Sequence, residues 1–261
     1  MSDQALVRID RQDGGVVEVV LDRPEAMNAV STAMATALTA VGEMLRADTS
    51  VRAVVVTSSH PKAFCVGADL KERNGFSDDD LREQRPGNRL AYRALYDVPV
   101  PTIAAVDGHA LGGGCEIALA CDLIVAGPKA SFALPEVSVG VIPGGGGTQL
   151  LTRRIGWSRA ADLIFTARRI DGSEGARLGL VDRVVSDARE EALTLARTIA
   201  RNSPVGVRNA KAAMRAGLDV TVAEGLDVED ARWHETAFSA DRAEGVRAFA
   251  EKREPRWPGP V

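Results

Sequence analysis

Two carboxylates stand alone in long apolar stretches of this sequence, and they are the residues best suited to chemistry. Glu116 is the only formally charged residue over positions 108–121, and Glu136 is the only one over positions 130–152. Burying an unpaired carboxylate is costly and raises its pKa, so such a residue usually has a functional reason to be there. We interpret the pair as acid/base groups. The structural alternative is that each is a buried carboxylate satisfied by an arginine or by backbone amides.

Two glycine clusters, residues 112–114 and 144–147, adjoin these carboxylates. The first follows a predicted buried strand at 102–106 and precedes a predicted helix from about Gly113. Free backbone N–H groups and the positive end of a helix dipole would make it an anion site. The second cluster, followed by Thr148, could do the same, or both could simply allow tight turns and close packing. Neither cluster matches a P-loop or a dinucleotide-binding fingerprint.

Other classes of catalysis have little support. The three histidines, His60, His109 and His234, lie far apart without metal-ligand spacing, so we expect no metal site. His109 lies three residues before the first glycine cluster and could line a pocket or simply belong to a loop. The Gly-x-Ser-x-Gly element of many serine hydrolases does not occur.

Composition indicates a compact globular protein. The chain has 261 residues, of which 45% are hydrophobic, and its net charge of -4 includes no long run of one sign. These values do not favour nucleic acid or an anionic membrane as the main partner. The three cysteines predict reduced thiols rather than disulfides. The N-terminus does not resemble a secretory signal, and no apolar run reaches the ~20 residues of a membrane helix, so we predict a cytoplasmic protein.

Strands and helices alternate along the first part of the chain. Strands are predicted at 6–9, 16–21, 52–57, 102–106 and 123–126. A turn at 13–15 makes the first two a hairpin. Ser31 is a plausible N-cap for a helix whose apolar residues, Met34, Leu38, Val41 and Leu45, share one face. This order predicts an α/β fold with a mostly parallel sheet flanked by helices.

Two further regions are predicted to be a polar loop and a mainly helical C-terminal part. The polar segment 74–88 is predicted to be a solvated loop leading into a surface helix. Helical segments are predicted near 158–166, 173–178, 187–202, 204–216 and 221–250, with one short strand at 183–185 and an extended, proline-rich tail at 255–261. We place a boundary near 200, between a core at 1–200 and a C-terminal helical region at 201–261.

Three segments resemble the crotonase superfamily, specifically the enoyl-CoA hydratases: FCVGADL at 64–70, DGHALGGGCEIALACDL at 107–123 and FALPEVSVGVIPGGGGTQLLTR at 132–153. The match is dense and extends over nearly the whole chain, from LDRPEAMNA near Leu21 to AFAEKREPRW near Phe249. The resemblance implies a crotonase-like spiral of ββα units and a C-terminal helical trimerisation region. It also implies an acyl-CoA substrate, a homotrimer or homohexamer, and a role in fatty acid or other lipid metabolism.

The resemblance also assigns roles to residues. It implies an oxyanion hole formed by the backbone N–H groups of Ala68 and Gly113, with Glu116 and Glu136 as the catalytic carboxylates. Further substrate contacts implied in this way are Cys65, Val66, Gly67, Asp69, Leu70, Gly112, Phe249 and Lys252. No cofactor is expected, because coenzyme A is part of the substrate.

The implied reaction is addition of water across the 2,3 double bond of a trans-2-enoyl-CoA to give a 3-hydroxyacyl-CoA. Glu116 would act as base towards water and Glu136 would protonate the α-carbon, which requires one ionised and one protonated group. Isomerases of the superfamily often keep only one of these carboxylates, so the pair favours hydration. The role of residues 144–147 stays open.

Several segments, among them LKER at 70–73 and IPGGGGTQ at 142–149, most resemble the methylglutaconyl-CoA hydratase branch. Some members of that branch also bind AU-rich RNA, which supplies a hypothesis of another class. That activity relies on a lysine-rich early helix, and positions 31–52 of this chain contain no lysine, so we expect little RNA affinity. Glu25 stands where many relatives have a basic residue, which weakens a role for this position in binding CoA phosphates. In the family, the loop corresponding to residues 74–95 shapes the acyl pocket. Its sequence here does not indicate which acyl chain length the pocket prefers.

Overall fold

The computed structural model describes residues 5–259 of the chain. Its strands are β1 (Val7–Arg11), β2 (Val16–Leu21), β3 (Ala53–Ser58), β4 (Ala63–Cys65), β5 (Thr102–Val106), β6 (His109–Leu111), β7 (Leu123–Ala126), β8 (Ser131–Ala133), β9 (Ile170–Asp171) and β10 (Arg183–Val184). Its α-helices are α1 (Thr32–Ala47), α2 (Leu70–Arg73), α3 (Asp78–Tyr96), α4 (Gly113–Ala120), α5 (Gly147–Ile155), α6 (Trp157–Thr166), α7 (Gly172–Leu178), α8 (Ala188–Ala200), α9 (Pro204–Gly217), α10 (Val222–Ala237) and α11 (Ala240–Glu251). Residues 1–4 begin the segment predicted not to be a secretory signal, and 260–261 end the predicted tail; both lie outside the described residues.

The main sheet contains six strands in the order β1-β2-β3-β5-β7-β10. The first pair is antiparallel, as predicted for the opening hairpin, and the other neighbouring pairs are parallel. Alternate residues of β3 face different cores: Val54 and Val56 belong to the same core as Leu38 of α1, whereas Val55 packs in the core that contains Ala192 of α8. The sheet is therefore covered on both faces, which accounts for the uninterrupted apolar sequence of β3.

The sequence patterns do not predict the second sheet, which has four strands in the order β4-β6-β8-β9. These strands are only two or three residues long, too short for an alternating pattern to be recognised. β4, β6 and β8 run parallel, and β9 is antiparallel to β8. β6 ends at Leu111, directly before the first glycine cluster, and β8 ends at Ala133, shortly before Glu136. The second sheet thus positions both regions of interest.

Helix α1 begins as predicted, with the Ser31 hydroxyl accepting the N–H of Met34 at 3.2 Å. The prediction of a solvated loop over 74–88 is wrong from Asp78 onwards, where α3 begins. Ser77 and Asp80 form a capping box, which stabilises the start of α3. The two helices pack closely: a Cβ added to Gly42 would lie 2.6 Å from the Cβ of Ala94. This packing on α1 buries one face of α3.

The C-terminal part is helical, as predicted, with two differences. The segment predicted at 221–250 contains two helices, α10 and α11, because Ser239 interrupts the first and caps the second by accepting the N–H of Arg242 at 3.1 Å. Helix α5 begins at Gly147, the last residue of the second glycine cluster, and lies outside the predicted helical segments. No helix within the described residues combines the length and apolar character needed to cross a membrane.

Candidate active site

Glu116 lies on α4, which packs directly on β4. A Cβ at Gly114 would lie 1.9 Å from the carbonyl oxygen of Cys65, so only glycine allows the helix to approach this strand. Glu116 is one turn into the helix and only 2% exposed. The close approach made possible by the first glycine cluster therefore buries the carboxylate.

The second glycine cluster holds this carboxylate. Oε1 of Glu116 accepts the backbone N–H of Gly145 at 2.6 Å and that of Gly147 at 2.8 Å. Burial raises the pKa of Glu116 above its usual value, and the N–H groups of Gly147 and Gly145 and the positive charge of Arg85 oppose this shift. The cluster left unexplained by the sequence thus stabilises the ionised form of Glu116.

Glu136 has a different environment. It begins a short 3-10 helix, Glu136–Val139, and its Oε2 is buried without a hydrogen-bond partner in the described part of the chain. Burial raises its pKa to about 7; its own backbone N–H opposes the shift and the negative charge of Glu116 adds to it. A carboxyl oxygen without a donor favours the protonated form.

Both carboxylates lie near the N-terminal end of α4. Gly112 is the N-cap of that helix, and a Cβ there would lie 2.9 Å from Oε1 of Glu136. Gly112 also has φ of 52°, a conformation that favours glycine. One carboxylate held by two amides and another with a pKa near neutrality can serve as base and acid in the same reaction.

The backbone N–H groups of Ala68 and Gly113 lie at the same end of the helix. Val30 donates its N–H to the carbonyl of Gly67 and accepts the N–H of Asp69, so the N–H of Ala68 points away from Val30. The nitrogen of Gly113 lies 3.0 Å from the position that a Cβ on Gly67 would occupy. Within residues 5–259 neither N–H has an acceptor, so both are free to bind a developing oxyanion.

Tyr92 is part of this site, although the sequence did not single it out. Its hydroxyl would lie 2.2 Å from a Cβ on Gly113, and its ring would lie 2.4 Å from a Cβ on Gly145. The ring therefore fills the space between the two glycine clusters. Burial raises the pKa of the phenol, and the charge of Glu116 contributes, so the hydroxyl stays protonated. The apolar residues of α3 recur at helical spacing, and this pattern could have identified Tyr92 from the sequence as a buried residue.

The remaining predicted substrate contacts lie in three regions of the structure: beside Gly113, at the start of α2, and at the end of α11. Gly67 adjoins Gly113 as described, and Val66 is half-buried beside it. Cys65 is fully buried and its thiol donates to the carbonyl of Asn28 at 3.0 Å.

Asp69 and Leu70 lie at the start of α2. The Asp69 carboxylate accepts backbone N–H groups of that helix and pairs with Arg23 at 2.6 Å, while Leu70 is exposed. Phe249 and Lys252 lie on and just after α11, which packs on α9 and α10. Phe249 is 88% exposed. Contact of these residues with substrate stays a prediction.

A model of the family described as "Enoyl-CoA hydratase/isomerase" matches residues 11–260. The chain belongs to the enoyl-CoA hydratase/isomerase family. "Probable enoyl-CoA hydratase 2, mitochondrial" of Arabidopsis thaliana is 42% identical over 97% of this chain and 85% of its own length. "Methylglutaconyl-CoA hydratase, mitochondrial" of Homo sapiens is 40% identical over 98% of this chain and 78% of its own.

Structural similarity within the family is equally extensive. The crystal structure of an enoyl-CoA hydratase from Bacillus anthracis superposes with a TM-score of 0.95 at 39% identity, covering 98% of this chain and all of that one. The predicted crotonase-like α/β fold with C-terminal helices is therefore confirmed. The resemblance to enoyl-CoA hydratases, stated from three motifs, is confirmed as well.

Proposed function

We propose that this chain is a hydro-lyase, an enoyl-CoA hydratase, which adds water across the 2,3 double bond of a trans-2-enoyl-CoA to give a 3-hydroxyacyl-CoA. One observation carries the proposal: two buried carboxylates, one accepting two backbone N–H groups and one with an unpartnered oxygen, lie near the N-terminal end of α4, beside two free backbone N–H groups. Hydration needs this combination, because it takes a proton from water and delivers one to carbon.

The geometry supports a complete sequence of proton transfers. The N–H groups of Ala68 and Gly113 bind the thioester oxygen, and each such donor typically contributes about 3 to 4 kcal/mol to stabilising an oxyanion. Ionised Glu116 takes a proton from water as the water oxygen bonds to C3. The electrons of the double bond move onto the thioester as an enolate, which takes a proton from Glu136 at C2. Proton exchange between the product-state carboxyls and solvent restores the starting state.

This mechanism uses no metal or redox group, and we propose that the enzyme works without a cofactor. The coenzyme A portion belongs to the substrate. The net reaction consumes one water and transfers its two hydrogens and oxygen to the double bond, so no oxidant or reductant is required.

Methylglutaconyl-CoA hydration is a second candidate, because it is the same chemistry on an acyl group that carries a carboxylate. The human relative bears that name, and the positive charge of Arg85 near Glu116 suits such a group. Double-bond isomerisation fits less well, since it needs no water and no second carboxylate. An RNA-binding role has less support, because α1 carries no lysine and the protein has a net charge of -4.

We also propose that the chain forms a homotrimer, or a hexamer of two trimers, through an oligomerisation region at residues 201–261. We further propose a cytoplasmic location for the protein. The Arabidopsis thaliana and human relatives are mitochondrial by name. Support for assembly comes from large apolar side chains on the C-terminal helices that are at least half exposed in the single chain: Met214, Val222, Trp233, Phe238 and Phe249. A second copy of the same helical region offers these side chains a complementary apolar surface.

The reaction can be tested by incubating the protein with crotonyl-CoA and following loss of the conjugated enoyl absorbance. A hydratase forms 3-hydroxybutyryl-CoA and, in deuterium oxide, incorporates deuterium at C2. With ¹⁸O-labelled water the label should enter the C3 hydroxyl. Turnover without oxygen from water would contradict hydration and support isomerisation.

A further inference from the structure

The backbone N–H of Ala68 depends on one short bridge for its direction. Val30 donates its N–H to the carbonyl of Gly67 at 2.7 Å and accepts the N–H of Asp69 at 3.1 Å. This parallel bridge between Val30 and Ala68 is isolated and belongs to neither sheet. Gly67 has φ of 89°, so the chain turns sharply just before it. With a single bridge, the orientation of the peptide between Gly67 and Ala68 depends on the contacts beside it.

The side chain of Arg23 joins the two segments that form this bridge. Its Nη1 donates to the carbonyl oxygen of Ala29 at 2.9 Å and to Oδ2 of Asp69 at 2.6 Å. Ala29 and Asp69 adjoin the two ends of the bridge, so one nitrogen atom connects both segments. The side chains of Arg23 and Asp69 are only 21% and 8% exposed. A charge-assisted hydrogen bond shielded from water in this way is stronger than a surface salt bridge.

Both members of the ion pair are themselves held in place. Oδ1 of Asp69 accepts the N–H groups of Lys71 and Glu72 at 3.0 and 3.1 Å, which caps α2. The backbone N–H of Arg23 donates to Oδ1 of Asn28 at 2.8 Å, and Asn28 is fully buried. The guanidinium and the carboxylate therefore meet in one defined geometry.

We infer that Arg23 is a positioning residue, which holds the N–H of Ala68 in the direction needed to bind the thioester oxygen. This inference rests on the proposed hydratase function and adds a residue to its mechanism. Arg23 acts through Asp69 and Ala29 and does not itself contact the reacting atoms. An oxyanion donor is effective only when its N–H already points at the oxygen, so a group that fixes this peptide contributes to the rate.

Two other roles for Arg23 make different predictions. If the ion pair only stabilised the fold, its loss would lower the free energy of unfolding but leave the polarisation of a bound carbonyl unchanged. If the guanidinium bound the phosphates of coenzyme A, its loss would raise KM and leave kcat unchanged. Loss of a positioning residue lowers kcat with little change in KM, because the donor binds most strongly in the transition state.

The kinetic test compares Arg23→Gln with Glu25→Gln, using crotonyl-CoA as substrate. We expect Arg23→Gln to lower kcat about tenfold, less than the roughly 10²- to 10³-fold effect of deleting a donor, because the N–H is misaligned rather than removed. Glu25 is the matched control, since its 71% exposed side chain lies 3.5 Å from Nε of the same guanidinium. Its replacement leaves both hydrogen bonds from Nη1 in place, so Glu25→Gln should keep the wild-type kcat.

A double variant keeps the test decisive if Arg23→Gln folds poorly. Arg23→Gln leaves the carboxylate of Asp69 buried without its cation, which is destabilising. Arg23→Gln/Asp69→Asn removes that charge as well. If the two residues act as one ion pair, the double variant should show about the same loss of kcat as a single variant. Additive losses would overturn the inference.

Bound butyryl-CoA supplies a readout without turnover, because its saturated acyl group cannot be hydrated. Hydrogen bonds to the thioester carbonyl lower its infrared stretching frequency, which ¹³C labelling at C1 identifies. We expect Arg23→Gln to lose about half of the wild-type shift, since one of two donors is displaced.

Three further outcomes would overturn the inference. They are the absence of a carbonyl shift in wild-type protein, an unchanged shift in Arg23→Gln, and a raised KM with unchanged kcat in that variant. If wild-type protein shifts the carbonyl of butyryl-CoA but does not hydrate crotonyl-CoA, the proposed function fails. A reduced shift in Arg23→Gln would then still support the positioning role, so the two failures can be distinguished.

Discussion

The backbone nitrogen of Gly145 lies 2.6 Å from Oε1 of Glu116, and this hydrogen bond connects the second glycine cluster to the helix that follows the first. A second N–H, from Gly147, reaches the same oxygen at 2.8 Å. Two amide donors on one oxygen fix the orientation of the carboxylate and favour its ionised form. This contact assigns a function to residues 144–147, whose role the sequence left open.

The glycine at position 145 should be difficult to replace. In Gly145→Ala the new Cβ would lie 2.4 Å from the Tyr92 ring and 2.8 Å from Oε2 of Glu116, so the loop must move and the hydrogen bond to Glu116 must weaken. We expect kcat to fall by about 100-fold, as when a positioning group is displaced by an ångström. Steady-state kinetics with crotonyl-CoA would measure the change.

Gly87→Ala is the matched control for this experiment. Gly87 lies on α3, and a Cβ there would meet nothing within 4 Å. Its activity should stay near wild type, with a small gain in stability from reduced freedom of the unfolded chain. Native activity in Gly145→Ala would show that the contact does not position Glu116.

Removal of either acid/base group should abolish most of the activity. Glu116→Gln and Glu136→Gln keep side-chain size but cannot exchange a proton, and general acid/base groups typically contribute about 10² to 10⁴ in rate. We expect each variant to retain native circular dichroism and the wild-type elution volume in size-exclusion chromatography. A variant with near-native turnover and intact structure would rule out the two-carboxylate mechanism.

The rate should depend on pH through Glu136. Its pKa is raised to about 7, so the protonated acid needed for C2 protonation is lost above that pH, and kcat/KM should fall as pH rises through about 7. A profile that stayed flat across this region would contradict the role of Glu136 as the acid. The pH dependence of kcat/KM reports on the free enzyme and is the measurement to use.

The same shift affects stability. The pKa of Glu136 is higher in the folded protein than its ordinary value of 4.5, so the folded state binds the proton more tightly. Its contribution to stability is therefore fully present below pH 4.5 and is lost as pH rises through about 7. Urea denaturation of wild type and Glu136→Gln should show this contribution only in the wild type; equal pH dependence in both would contradict the assigned pKa.

Tyr92 should matter mainly as a packed ring. Tyr92→Ala removes the side chain that fills the space between Gly113 and Gly145, and large-to-small changes of buried aromatic residues typically cost about 3 to 5 kcal/mol. We expect a corresponding drop in the free energy of unfolding, together with loss of activity. Tyr92→Phe retains the ring and should lose less than about 1 kcal/mol. Similar stability of both variants would show that the ring does not support the glycine clusters.

Much of the architecture could be predicted because its signals are local. The hairpin β1–β2, the strand β7 and the Ser31-capped helix α1 are confirmed, since turn residues, β-branched runs and helical spacing act over only a few positions. The strands β4, β6, β8 and β9 could not be predicted, because strands of two or three residues are stabilised by their neighbours in the sheet rather than by their own pattern. The loop predicted over 74–88 failed for a similar reason: packing on α1 stabilises α3 despite its polar sequence.

The sequence by itself determined which groups are available for chemistry: two carboxylates in apolar surroundings and two glycine clusters that let backbone approach closely. Only the tertiary structure decided how they differ. Glu116 receives N–H groups from residues 29 and 31 positions away, whereas Oε2 of Glu136 receives none within the described chain, and Arg85 comes from a third segment. Protonation depends on burial and on contacts between distant residues, so two glutamates with similar local sequence acquire different environments.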